Sequence, residues 1–299
     1  MRPATAWSLA RETFACWSQD HAASMGAALA YYTMFSIAPL LLIVISVAGL
    51  VFGREAARGE ILGQLQSLMG TEGARAVQAL LASANRPAAG AWATLAGVGA
   101  LLVGATTVFG ELQNSLDRIW RAPGRPDQAG AWGWLRSRLL SLGLILGIGF
   151  LLMVSLVASA ALAAVQRWWS RWIAWGGLAQ GIDFAVSFAF VTVAFAMIYK
   201  LMPRARVEWR DVGVGAVVTA LLFTVGKTAI GLYIGRSAVT SAFGAAASLA
   251  AMLVWVYWSA QIFLLGAEFT WVYARRLGSL SEAARPHAPA PAAAAVPLR

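Results

Sequence analysis

What this sequence has least of is charge. Acidic and basic side chains together make up 12% of its 299 residues, against about 25% in an ordinary soluble domain. With 60% apolar residues and a mean hydropathy of +0.67, this is the composition of a polytopic membrane protein. Lysine is scarcer still: two residues against 21 arginines, with no basic tract of five or more. The net charge of +10 is therefore spread over short connections, and nucleic acid is not expected as a partner. Cys16 is the only cysteine, which excludes an intrachain disulfide. The only histidines are His21 and His287, and no HxH, DxD or HExxH spacing occurs. Metal-assisted phosphoryl chemistry needs clustered carboxylates or histidines, so neither a metal nor any other cofactor is expected, and the chain does not read as an enzyme. A Walker A loop is also missing, which removes ATP-driven pumping. The first 20 residues lack a signal peptide's apolar centre, because Arg11, Glu12 and Asp20 interrupt them. The first spanning helix is then expected to act as an uncleaved insertion signal.

What is present in quantity is long apolar helix. Six spans can be drawn, over about 27–52, 92–112, 139–165, 178–202, 212–235 and 245–274. The expected fold is an all-α bundle of six transmembrane helices with short amphipathic surface helices, formed by residues 1–276. The Ala- and Pro-rich residues 277–299 read as a disordered cytoplasmic tail. The last span is the organising one. Its helix is roughly 45 Å long at 1.5 Å per residue, against a hydrocarbon core of about 30 Å. Gln261 and Glu268 are seven residues apart in it and share a face, which must turn toward protein or water because a carboxylate facing lipid is costly.

In the first span, Pro39 removes a backbone hydrogen bond and predicts a kink. Tyr32 and Ser36 lie on the same face as Pro39; they either line a pathway or bond neighbouring helices. Residues 5–20 read as an amphipathic helix, lying on the membrane or capping the bundle. The connection 53–91 carries two apolar stripes, Ile61 to Met69 and Val77 to Leu81, and reads as two short helices on the outer membrane face. GxxxG steps at Gly143–Gly147 and Gly231–Gly235 are weak signals for close packing. Trp168, Trp169, Trp172 and Trp175 form an interfacial aromatic belt. With the N-terminus inside, 15 basic residues fall on the inner segments and seven on the outer ones, which places both termini in the cytoplasm.

SLAAMLVWVYWSAQIFLLGAEFTWVYARR at the end of the chain, ALAYYTMFSIAPLLL in the first span and LQNSLDRIW after the second resemble the YihY/BrkB family of bacterial inner-membrane proteins. The resemblance covers roughly Trp17–Arg276 and implies six spanning helices in the bacterial inner membrane. Some members of that family once carried a ribonuclease name and others a virulence label. Neither supplies a mechanism.

Three function classes stay open, of which a membrane-embedded enzyme would need a nucleophile or a metal set that the sequence does not show. A secondary transporter or exporter of a small solute or lipid would use polar side chains inside the bundle as its pathway. A structural or assembly protein would use them only to join helices. For the transporter, the expected site is a polar cavity open to the cytoplasm, lined by Glu268, Gln261, Glu111, Gln113, Asn114, Tyr32 and Ser36. Glu111 and Glu268 both lie about 10 Å from an arginine marking the inner interface, by helical rise. Two carboxylates close together in low dielectric repel, and the proton one of them holds is what a proton-coupled carrier needs. Elsewhere, Asp183 and Lys227 have matching depths and are expected either to pair, or to leave Lys227 snorkelling alone to the outer interface.

Overall fold

The computed structural model describes residues 3–84, 107–122, 176–205, 207–236 and 247–281. Among these residues everything regular is helical: α1 (Pro3–Gln19), α2 (Ala22–Phe52), α3 (Arg54–Ala84), α4 (107–119), α5 (Gly176–Leu201), α6 (Trp209–Arg236) and α7 (Ala247–Arg276). The predicted first, fourth, fifth and sixth spans correspond to α2, α5, α6 and α7. The predicted third span, the tryptophan belt, most of the second span and residues 282–299 lie outside the described residues.

Helices suit this sequence because hydrocarbon offers backbone amides no partner, and a helix satisfies them within one segment. Among the described residues, three helices are long and apolar enough to cross a membrane: Phe184–Leu201, Trp209–Tyr233 and Leu249–Arg276. A fourth candidate is α2, whose parts Ala22–Ala38 and Leu40–Leu50 meet at 42°. The bend falls at Pro39.

α7 is the central element, packing against α1, α2, α3 and α6, while α5 packs on α6. α2 and α7 are antiparallel, since Gln261 reaches the start of α2 while Met252 and Val256 pack with Ala30, Leu41 and Ile45 farther along it. Two glycines with positive φ make the α2–α3 region possible. Gly53 (φ 84°) ends α2 and lets α3 begin at the next residue, and Gly70 (φ 76°) breaks α3 into two arms. The two short helices expected over 53–91 correspond to these arms as far as Ala84, and part of their stripe packs on the bundle. Ala76, Val77 and Leu81 are buried in one cluster with α2 and α7, with Ile61, Leu65 and Leu80 against it.

Close approach between helices does not occur where the visible GxxxG step suggested it. A methyl group at Gly231 would meet nothing within 4 Å. At Gly215 it would lie 1.8 Å from Thr270 Oγ1, and at Gly266 it would lie 2.0 Å from Thr219 Oγ1. These two Gly–Thr contacts cross in opposite directions between α6 and α7. Each threonine hydroxyl donates to the carbonyl four residues back, Thr219 to Gly215 and Thr270 to Gly266, both at 2.7 Å. The bundle also extends past Arg276, where the tail was expected to begin. Ser279 donates to the buried carboxylate of Asp211 through both its amide (3.1 Å) and its hydroxyl (2.5 Å). That contact ties the segment after α7 to the first turn of α6.

Gly215→Ala should therefore force α6 and α7 apart and cost about 1–3 kcal/mol, the usual range for overpacking. Gly231→Ala should be neutral. Thermal melting of the purified protein in detergent distinguishes the two, and equal melting temperatures would show that the Gly–Thr contacts do not set the helix separation.

Candidate functional site

The polar residues of interest gather where α1, the start of α2, the end of α4 and the last third of α7 meet. Their apolar surroundings are Ala22, Met25, Leu29, Leu116, Ile119, Leu264 and Ala267, all buried in one cluster. Glu268 lies inside this layer with no exposed surface. Neither of its carboxyl oxygens has a hydrogen-bond partner among the described residues. Buried polar atoms in folded proteins nearly always have one.

The carboxylate that acts electrostatically on Glu268 is Asp20, in the turn between α1 and α2, and not Glu111. Asp20 is itself buried. Its Oδ1 accepts an ion pair from Arg121 at 2.9 Å, and its Oδ2 has no partner among the described residues. Arg121 stands just past the end of α4 in a left-handed backbone conformation (φ 49°), and His21 beside Asp20 is left-handed too (φ 56°). Such conformations cost about 1–3 kcal/mol each outside glycine and concentrate at functional sites. Trp120, next to Arg121, packs edge-to-face on Trp271 with ring centroids 5.7 Å apart, and its buried Nε1 also lacks a partner among the described residues.

α1 resolves as a cap on the bundle end. Leu9, Thr13 and Asp20 face inward and are buried, whereas Trp7 and Phe14 are exposed at 74% and 62%. Glu12 holds α1 to the end of α7 through an ion pair with Arg276 at 2.8 Å. Cys16, on the same helix, is half-buried. Its thiol is raised above the ordinary range, first by burial and then by the carboxylates of Glu268, Glu12 and Asp20, with Arg121 acting in the opposite sense.

The other expected site residues do not converge on Glu268. Gln261 is buried and its Nε2 donates weakly to the carbonyls of Ala22 and Ala23, both at 3.4 Å, fastening α7 to the start of α2. Gln113 donates to the carbonyl of Met202 at 3.0 Å. Asp117, four residues on, accepts from the amide of Arg204 at 2.8 Å and pairs with its guanidinium at 3.6 Å. The LQNSLDRIW stretch is thus a clamp on the turn after α5. Asn114 is exposed and Glu111 half-buried, the latter roughly 15 Å before Arg121 by helical rise. Tyr32 is half-buried and Ser36 buried. They lie roughly 14 and 20 Å along α2 from Ala23, on the far side of Gln261 from Glu268. The groove near them, between α2 and α7, is lined by Ala27, Ala30, Tyr31, Leu253, Val254 and Trp258 and is apolar. Lys227 is exposed; the side chain of Asp183, its expected partner, lies outside the described residues.

Sequence reasoning missed Asp20, Arg121 and Tyr199. Tyr199 is fully buried, and its hydroxyl donates to the carbonyl of Phe263 at 2.7 Å and sits 3.1 Å from Thr219 Oγ1, joining α5, α6 and α7. The only available signal for Asp20 was its position in the break between two helices. No group of three or more His, Cys, Asp or Glu side chains able to hold a metal occurs among the described residues.

The family described as virulence factor BrkB matches residues 13–291. A UPF0761 membrane protein of Aeromonas salmonicida is 31% identical over 180 residues, covering 59% of this chain and 59% of the relative. Those of Verminephrobacter eiseniae (29% identical, 84% of this chain, 58% of the relative) and Pseudomonas aeruginosa (30%, 83% and 58%) align over more of the chain. The chain thus spans less than two thirds of the length of these relatives. No solved structure matches.

The Cys16 environment can be measured directly. Because burial and three carboxylates raise the thiol, alkylation of Cys16 by N-ethylmaleimide should have its pH midpoint above that of a free thiol. Glu12→Gln should lower the midpoint, and denaturation in dodecyl sulfate should bring it to the free value. An identical midpoint in folded and denatured protein would place Cys16 outside this electrostatic environment.

Proposed function

Because the chain belongs to the BrkB family of membrane proteins, we propose that it is a secondary transporter or exporter of a small solute or lipid, with Glu268 as the titrating group of its pathway. One observation carries the reading: a fully buried carboxyl, without a hydrogen-bond partner among the described residues, in a helix long and apolar enough to cross a membrane. Such a residue is expensive, and in membrane proteins it ordinarily marks an ion path or a proton relay. A purely mechanical joint has no need of it, since an amide of the same shape joins helices at lower cost. The protein performs no covalent chemistry in this reading and uses no cofactor. The pathway opens to the cytoplasm at the α1 end, between the starts of α2 and α6 and the ends of α4, α5 and α7.

A second reading, a structural or assembly protein of the membrane, draws on a different observation. Gln113, Gln261 and Tyr199 all donate to main-chain carbonyls of other segments, which is how polar side chains act as interhelical joints.

Glu268→Gln separates the two readings, since it retains shape and removes the titratable group. In pyranine-loaded proteoliposomes screened with panels of solutes and lipids, a solute-driven proton flux should be present with the wild type. It should be lost in Glu268→Gln while yield and melting temperature hold. Wild-type behaviour of the variant in every assay would leave the structural reading standing.

The proposed orientation has both termini in the cytoplasm of the bacterial inner membrane, supported by the 15-to-7 distribution of basic residues. It puts the α3 hairpin outside. A reporter active only in the cytoplasm, fused at Gly73, should then be silent; activity there reverses the topology.

A further inference from the structure

Asp20 and Glu268 come from opposite ends of the sequence, yet both are buried at the same end of the bundle, where Arg121 pairs with Asp20 and its neighbour Trp120 packs on Trp271, three residues beyond Glu268. The inference below rests on the transport reading and deepens it. Of the four carboxyl oxygens, one is engaged, Asp20 Oδ1 with Arg121. The other three have no donor among the described residues. One guanidinium therefore faces two carboxyls. If both were ionised, two negative charges would be held close together away from water with a single counter-ion, a costly arrangement. A single proton on the pair removes one charge and gives one of the free oxygens a donor at the same time.

We propose that Asp20 and Glu268 form one proton-binding unit, in which the two carboxyls share a single proton and Arg121 neutralises the charge that remains. The balance is simple. One proton taken from the α1 side brings the pair from two negative charges to one, and its release restores the second. Arg121 stays with Asp20 throughout. Cys16 and Glu12 of α1, and the exposed His21 that follows Asp20 in the chain, are further titratable groups in this neighbourhood, and Glu12 is tied to Arg276. Tyr199, which faces the same apolar cluster, is occupied by Phe263 and Thr219. Glu111, roughly 15 Å away along α4 by helical rise, is not a member. Asp20 sits in the joint between α1 and α2, so loading and unloading the pair acts directly on the contact that holds α1 over the bundle end.

Infrared difference spectroscopy tests this on the purified full chain in detergent, titrated between acid and alkaline pH. The wild type should show one carbonyl band of a buried protonated carboxyl. Glu268→Gln should abolish it, while Asp20→Asn should shift both its frequency and its pH midpoint. Asp20→Glu, which keeps a carboxyl and guards against loss of folding in the amide variant, should restore a pH-dependent band at a displaced midpoint. Arg121→Gln should move the midpoint to higher pH, because the charge left on release loses its counter-ion. Glu111→Gln should change nothing. A band with the wild-type frequency and midpoint in both Asp20 variants overturns the shared unit, even where Glu268→Gln has abolished transport. A band coupled to Asp20 in a protein whose Glu268→Gln variant shows normal flux overturns the transport reading and leaves the pair intact.

Discussion

A carboxylate cannot be left facing hydrocarbon, and α7 carries one eight residues before its terminal arginine. The helix must therefore be surrounded at that level, and it is. α1 closes over it from the end, the start of α2 and the end of α4 pack beside it, and Leu264 and Ala267 complete an apolar layer with Leu116, Ile119 and Ala22. The rest of the architecture depends on how close α7 comes to its neighbours. Reciprocal Gly–Thr contacts bring α6 against it, and the Gly53 turn folds the α3 hairpin onto its other flank. Small residues provide proximity here, and the hydroxyls of Thr219 and Thr270 return their hydrogen bonds to their own helices.

Two kinds of buried polar group coexist in the bundle, and the difference between them is informative. Tyr199 and Asp211, with the half-buried Gln113 and Asp117, are engaged with the backbone or side chains of other segments. Each joins two pieces of chain. Glu268 and one oxygen of Asp20 have no such partners among the described residues. Those oxygens are concentrated at one end of the molecule, beside two non-glycine residues in left-handed conformations.

Much of the helical framework is legible in the order of residues. Apolar runs are local, so the ends of α2, α5, α6 and α7 fall within five residues of the expected spans. Pro39 sits where the axis of α2 turns, because a missing amide and a ring clash act within one turn of helix. Amphipathic stripes marked α1 and the two arms of α3, since the helical period determines which side chains share a face. The LQNSLDRIW stretch was visible as polar and placed near an interface. Its task, gripping the turn after α5, was not visible, because the carbonyl of Met202 and the amide of Arg204 belong to no motif.

By itself, then, the sequence determined membrane character, helical class and the shared face of Gln261 and Glu268, all of which follow from composition and short-range periodicity. Tertiary structure alone decided which residues meet that face. Counting 1.5 Å per residue from the nearest arginine matched Glu268 with Glu111, but depth in a bundle also depends on where each helix begins and how it crosses its neighbours. The break at His21 lets α1 fold back over the bundle and carries Asp20 to Glu268, whereas the clamp between Gln113 and Met202 sets α4 at a register that leaves Glu111 far up its helix. The same reasoning accounts for the stripes of α3. Their period marked an apolar face, but only the Gly53 and Gly70 turns brought Ala76, Val77 and Leu81 of that face against α2 and α7.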